Sequence, residues 1–189
     1  MKNLKTLTIS ALCFALGLVL PFLTMQIQAI GNMLLPMHLP VLMLGFICGP
    51  IPGLIVGLLV PITRSVLFGM PPLYPTAIAM CAELATYGLV TGFLYHKVFR
   101  HSCIIEVYKT LIIAMIAGRI VNAFMNIILL GINGKAYTFK MFITANIINS
   151  IPGIILQLIV IPALLFALNK TKLVTIYKKE TKSVTETTK

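Results

Sequence analysis

The chain has 189 residues, of which 59% are hydrophobic and 10% are charged, and its net charge is +11. A soluble domain carries about 45–50% apolar and about 25% charged residues, so this composition predicts a membrane-embedded protein. The chain contains four glutamates and no aspartate, which excludes aspartyl dyads and ordinary calcium-binding EF-hand loops. It also lacks the glycine motifs that cradle nucleotide phosphates, so we do not expect it to hydrolyse ATP itself.

Six apolar segments follow one another along the chain. The first follows a short basic N-terminus, and it predicts a retained helix rather than a signal peptide because no polar domain comes after it. The second is too short to cross about 30 Å of hydrocarbon alone, so it is either a short helix surrounded by protein or a broken one. The six segments are residues 7–23, 38–49, 53–68, 76–95, 109–130 and 142–168.

The distribution of lysine and arginine predicts the orientation of these spans. Six spans put both termini on one side, and eleven basic residues then fall on that side, against Lys135 and Lys140 on the other. The positive-inside rule therefore predicts cytoplasmic termini. This clustering at span ends also explains the net charge without nucleic acid as a partner. If segments 38–49 and 53–68 instead form one re-entrant element, five spans remain.

The chain shows no domain boundary and no internal repeat. Residues 1–170 are predicted to form one transmembrane bundle, and the Lys/Thr-rich residues 171–189 a disordered cytoplasmic tail. The spacing of His96, His101 and Cys103 fits no standard zinc pattern, so we expect neither a metal nor a cofactor. The fold class is accordingly an all-α integral membrane protein with six transmembrane helices and both termini in the cytoplasm.

Three charged side chains fall inside predicted spans: Arg64, Glu83 and Arg119. A charge in the apolar region costs several kcal/mol, so each needs a structural or functional reason. Glu83 paired with either arginine would hold two helices in register. The arginine left over would be the better ligand candidate because its planar fork matches a carboxylate. Ligand contact and a purely structural role both remain open for each arginine.

Amides accompany these charges. Arg119, Asn122 and Asn126 are spaced i, i+3 and i+7, which places them on one helix face, and Asn146 and Asn149 lie in the outer third of the last span. Buried amides need partners, which are either each other across helices or a ligand. Their convergence at one depth favours a binding pocket.

Two tyrosines complete the predicted site. Tyr74 and Tyr87 could add a stacking face and a hydroxyl group, or they could be interfacial belt residues. Small residues spaced four apart mark close helix packing, as in Gly53/Gly57 and Gly88/Gly92.

The sequence resembles the substrate-binding S components of energy-coupling factor (ECF) vitamin transporters over residues 1 to about 170. The resemblance rests on the six short spans, an A-x-x-x-A at Ala11 and Ala15, and an apolar outer loop, IGNMLLPMH, at residues 30–38. It also rests on LLPMHLPVL, RSVLFGMPP and PTAIAM, at residues 34–42, 64–72 and 75–80.

The resemblance implies a bacterial plasma-membrane subunit that captures a vitamin-like molecule from outside. Such a subunit docks on a transmembrane coupling subunit, which is bound to two cytoplasmic ATPases, and topples to release its ligand inward. Ala11 and Ala15 match the face that contacts the coupling subunit. Outer loops at 24–38, 69–75 and 131–140 would cap the pocket.

Two arginines and several amides favour a ligand with a carboxylate plus hydroxyl or amide groups, and pantothenate fits that description best. A purine-like ligand would instead donate N–H groups to Glu83, and a flavin would need more stacking surface. The alternative function is a small homo-oligomeric carrier coupled to ions through Glu83. An enzyme is not expected, since there is no H-E-x-x-H and His38 is the only histidine near a span.

Overall fold

The structure is a computed structural model that describes residues 2–24, 35–98, 104–132 and 150–170, and every regular element in these ranges is helical. Six α-helices are present in the described ranges, with a 3₁₀ turn (Leu20–Thr24) after the first and π-helical turns (Leu73–Ala77 and Leu94–Val98) on either side of the fourth. The helices are α1 (Lys2–Val19), α2 (His38–Cys48), α3 (Pro50–Phe68), α4 (Ile78–Phe93), α5 (Ile104–Ile132) and α6 (Ile151–Lys170).

Five helical segments of the described chain are long and apolar enough to cross a membrane. They are Leu4–Phe22, Pro50–Phe68, Leu73–Val98, Ile104–Ile132 and Ile151–Leu168. The remaining helix, α2, has 11 residues, seven of which are buried. At 1.5 Å per residue it spans roughly 16 Å, about half of the hydrocarbon thickness. Its burial agrees with the prediction of a short helix surrounded by protein, whereas the total of six spans stays a prediction.

The fifth helix begins earlier than the sequence predicted. Its first residue is Ile104, not Lys109. Glu106 lies in its first turn, where a carboxylate is favoured by the positive end of the helix dipole. Val107 is fully buried and packs in one core cluster with Leu111, so burial of this turn outweighs the polar residues around it. The predicted start of the sixth span, 142–149, lies outside the described residues.

Helices α2 and α3 form an antiparallel hairpin joined at Gly49, whose φ of +98° is a conformation that favours glycine. Both helices of this hairpin pack against α4 at Gly88. A Cβ on Gly45 would lie 2.8 Å from the Gly88 carbonyl oxygen, and one on Gly53 would lie 2.7 Å from it. Residues 38–68 therefore form two separate helices that lie side by side against α4.

The glycine pairs predicted to mark packing faces do meet each other. A Cβ on Gly88 would lie 2.3 Å from the Gly53 backbone, and one on Gly57 would lie 2.5 Å from the Leu84 carbonyl oxygen. One turn further along α4, a Cβ on Gly92 would lie 2.3 Å from the Pro50 nitrogen. Helices α3 and α4 thus pack backbone to backbone, which confirms the prediction from the G-x-x-x-G spacing.

Helix α1 packs on the outside of this core with one face only. Cys13 and Gly17 are buried, and a Cβ on Gly17 would meet the Val60 side chain at 3.0 Å. Ala11 and Ala15, on another face of the same helix, are exposed. The A-x-x-x-A stripe is therefore not used for packing against the described part of the bundle.

Candidate functional site

A buried carboxylate lies between α4 and α5. Glu83, on α4, is 2% exposed. The Tyr87 hydroxyl, one turn further along α4, donates to Glu83 Oε1 at 2.8 Å. From α5, Asn122 Nδ2 donates to Glu83 Oε2 at 2.6 Å, and Arg119 Nη1 lies 3.2 Å from Oε1. Both oxygens of the carboxylate therefore have charged or polar partners, as a buried carboxylate requires.

The three polar residues of α5 share one face, as their spacing predicted. Asn126 Nδ2 donates to the Asn122 side-chain oxygen at 2.6 Å and to the Asn122 backbone oxygen at 2.9 Å. Asn122 in turn donates to Glu83. Asn126 thus fixes the orientation of the Asn122 amide, and this places the Asn122 amide nitrogen on the carboxylate.

A glycine permits the close approach of the two helices at the site. A Cβ on Gly118 would lie 2.2 Å from Tyr87 Cε1. Any side chain at this position would displace the Tyr87 ring, whose hydroxyl donates to Glu83. Gly118 therefore sets the distance at which α5 presents Arg119 and Asn122 to α4.

His38 is a member of the cluster that the sequence analysis missed. It is the first residue of α2 and is fully buried. Its Nε2 lies 3.8 Å from Glu83 Oε1, and its ring centroid lies 5.4 Å from that of Tyr87. The sequence pattern indicated no role for histidine other than metal ligand or catalytic base. One feature of the sequence could have indicated this role: His38 is a titratable side chain in an apolar stretch, between Pro36 and Pro40.

Several nitrogens of the site have no hydrogen-bond partner within the described residues. They are both ring nitrogens of His38 and Nε of Arg119. Gln157 Nε2, on α6, is also buried without a partner, and its helix neighbours Ile154 and Leu158 pack against the core cluster that contains Tyr87.

Arg64 lies apart from Glu83. It is 3% exposed, and its Nη1 donates to the Leu18 carbonyl oxygen at the end of α1, at 2.8 Å. Its guanidinium carbon lies 5.3 Å from the Phe22 ring centroid and 5.7 Å from that of Phe68. These contacts join the ends of α1 and α3, and they identify Arg119 as the arginine that pairs with Glu83.

One further predicted residue, Tyr74, is not brought to the cluster by the structure. Its hydroxyl donates to the Leu129 carbonyl oxygen near the end of α5, so this tyrosine joins the segment before α4 to α5. The other two predicted residues, Asn146 and Asn149, lie outside the described residues. Within the described ranges no group of three His, Cys, Asp or Glu side chains could hold a metal ion.

A shallow groove runs beside the alanine stripe of α1. It is lined by Thr6, Leu7 and Ser10 of α1 and by Ile51, Pro52 and Ile55 of α3. Leu7, Ala11 and Ala15 are spaced by four residues, so they lie along one helix face.

Comparison with known proteins assigns the sequence of this chain to a family. The family model described as "ECF transporter, substrate-specific component" matches residues 5–165. Neither the curated proteins nor the solved structures contain a significant match to the chain.

Proposed function

The chain belongs to the family of ECF transporter substrate-specific components, and on that basis we propose that the polar cluster around Glu83 binds its substrate. Members of this family are subunits of transporters and not enzymes, and the apolar helices agree with a multi-pass protein of the plasma membrane. The observation that supports this binding site is the arrangement of three side chains. A buried ion pair, Glu83–Arg119, lies beside a buried histidine whose ring nitrogens have no hydrogen-bond partner among the described residues.

The proposed topology has six spans, with α2 as a short one, and both termini in the cytoplasm. Eleven basic residues on the predicted inner side against two on the outer side support this orientation. Glu83 lies five residues after the start of α4, which is roughly 8 Å along the helix. In this orientation the cluster lies in the outer half of the membrane, where a subunit that captures its ligand from outside needs its site.

The proposed ligand is a small molecule with a carboxylate and hydroxyl or amide groups, and pantothenate is the best candidate. The cluster offers a guanidinium, amides and a phenol, which suit such a molecule. A purine-like ligand would need Glu83 as a free acceptor, yet Tyr87, Arg119 and Asn122 already engage both of its oxygens. Asn146 and Asn149 stay sequence predictions for the same pocket, and the contacts of Arg64 and Tyr74 favour structural roles.

Transport by this subunit is proposed to need a transmembrane coupling subunit and two ATPases. The exposed stripe of Ala11 and Ala15 is the proposed docking face, and the adjoining groove extends it toward the start of α1. Small side chains on an exposed helix face allow a partner helix to approach closely.

The experiment that tests this proposal is native mass spectrometry of the chain expressed alone, with extraction of any bound small molecule. We expect about one vitamin-like molecule per chain, with pantothenate retained when it is added. Uptake of labelled pantothenate into proteoliposomes should then require the coupling subunit, both ATPases and ATP. If the isolated chain instead carries out ion-driven uptake without ATP, the homo-oligomeric carrier that uses Glu83 is the correct function. The pairing of Glu83 with Arg119 argues against a freely exchanging carboxylate of that kind.

A further inference from the structure

Two side chains of the Glu83 cluster carry hydrogen-bonding groups that the described part of the protein does not satisfy. They are the His38 ring and the Arg119 Nε–H. Buried polar groups in folded proteins almost always have a partner, because leaving one unpaired loses its hydration without compensation. His38 is 0% exposed, so bulk water does not serve its ring nitrogens. Their partner is therefore expected to be a molecule that enters the site.

Glu83 does not satisfy His38. The 3.8 Å between His38 Nε2 and Glu83 Oε1 is too long for a hydrogen bond. Since Arg119 lies 3.2 Å from the same Glu83 oxygen, a single small molecule can reach both the imidazole and the guanidinium.

The unpaired groups define the chemistry of their partner. A neutral imidazole has one N–H donor and one nitrogen acceptor, and a hydroxyl group can complement either of them, since it both donates and accepts. The Arg119 Nε only donates, so it needs a carbonyl or carboxylate oxygen. A ligand with a hydroxyl group next to a carbonyl or carboxylate oxygen matches this set.

We propose that His38 is a specificity-determining residue of the binding site, which reads a hydroxyl group of the ligand while Arg119 binds an adjacent carbonyl or carboxylate oxygen. Glu83 is then a positioning residue that holds Arg119 and Asn122 in place. This inference rests on the proposed function, and it deepens it by naming the ligand class as a hydroxylated carboxylic acid or amide.

The test compares three probes on the purified protein in detergent. They are pantothenate, the analogue in which both hydroxyl groups are replaced by hydrogen, and the analogue in which the carboxylate is reduced to an alcohol. A site that hydrogen-bonds a ligand hydroxyl discriminates strongly against the analogue that lacks it, so we expect at least about tenfold weaker binding of the deoxy analogue. In His38→Phe this ratio should fall close to one, while the affinity ratio of pantothenate to the alcohol analogue should keep its wild-type value, because His38 does not contact the carboxylate in this proposal.

A matched variant controls for the loss of a histidine as such. His96 is exposed, and its ring contacts the Phe46 carbonyl oxygen near the other end of α2, so His96→Phe should keep the wild-type ratio. His38→Asn retains polar character at the site and should give an intermediate ratio. If His38→Phe misfolds, the comparison of probes on the wild-type protein still shows whether the site recognises a hydroxyl group, and His38→Asn shows whether His38 is responsible.

The possible outcomes separate this inference from the proposed function. If the wild type binds pantothenate and its deoxy analogue equally well, or if His38→Phe keeps the discrimination, the inference is wrong and vitamin capture stands. If the wild type binds a purine or a flavin and none of the three probes, the ligand class is wrong as well. If it binds no vitamin at all, both proposals fall.

Discussion

The Arg119 guanidinium on α5 lies 3.2 Å from the Glu83 carboxylate on α4, and both side chains are largely buried. They belong to different helices and are 36 residues apart in the sequence, so the pair fixes the register of these two helices. The same carboxylate organises Tyr87 and Asn122. The stability of the bundle and the geometry of the proposed binding site therefore depend on one ion pair.

Removal of one partner of this pair should destabilise the protein strongly. Glu83→Gln leaves the Arg119 charge buried without compensation, and a broken buried pair costs about 3–5 kcal/mol. We expect a clear decrease in the midpoint of thermal unfolding in detergent, with a similar decrease for Arg119→Gln. The double variant should recover part of the loss, because no unpaired charge remains. Strictly additive single and double variants would show that the two groups do not interact.

The contact between Gly53 and Gly88 should not tolerate a methyl group. Gly88→Ala would place its Cβ 2.3 Å from the Gly53 backbone, and neither backbone can move without separating α3 from α4. Overpacking typically costs about 1–3 kcal/mol, and a clash with backbone belongs at the upper end or beyond. Thermal unfolding and the yield of monodisperse protein measure the effect. Gly131→Ala is the control, since nothing lies within 4 Å of its added Cβ, and equal loss in both variants would contradict this account.

Bulky substitutions on the alanine stripe of α1 should separate binding from transport. Ala11→Phe and Ala15→Phe change exposed positions, so the affinity for pantothenate should be unchanged in the isolated subunit. Assembly with the coupling subunit and ATP-dependent uptake should both be lost, because a large side chain prevents close helix approach. Ile120→Phe alters an exposed position on α5 and should leave uptake intact. Uptake that persists with both alanines replaced would rule out this docking face.

Arg64 should contribute to stability and not to ligand recognition. Arg64→Gln removes the hydrogen bond to the Leu18 carbonyl oxygen and the contacts with the Phe22 and Phe68 rings. Together these contributions amount to about 1–3 kcal/mol, so we expect a lower unfolding midpoint with an unchanged pantothenate affinity.

Lys97→Gln is the matched control for Arg64→Gln. The Lys97 ammonium also lies over a ring, 5.4 Å from the Phe93 centroid, but Lys97 is exposed. Because an exposed cation–π contact contributes little, this variant should be close to the wild type in stability. A large loss of pantothenate affinity in folded Arg64→Gln would instead make Arg64 a ligand contact.

Features carried by short stretches of sequence were predictable. Hydropathy predicted a membrane bundle, because residues in lipid must be apolar whatever their neighbours are. The spacing of Gly53/Gly57 and Gly88/Gly92 predicted close packing, and the spacing of Asn122 and Asn126 predicted a shared face, since helix geometry alone sets these relations. The family resemblance also followed from local motifs, and the family match confirmed it.

Features that depend on contacts between distant segments needed the tertiary structure. The sequence left Glu83 with two possible arginines, and only the packing of α4 on α5 through Gly118 and Tyr87 brings Arg119 to it and leaves Arg64 with α1. His38 joins the site because the hairpin at Gly49 returns α2 alongside α4. The role of His38 could not be predicted from the neighbouring sequence. The function of a histidine in an apolar stretch depends on which groups folding places within a few ångströms of its ring.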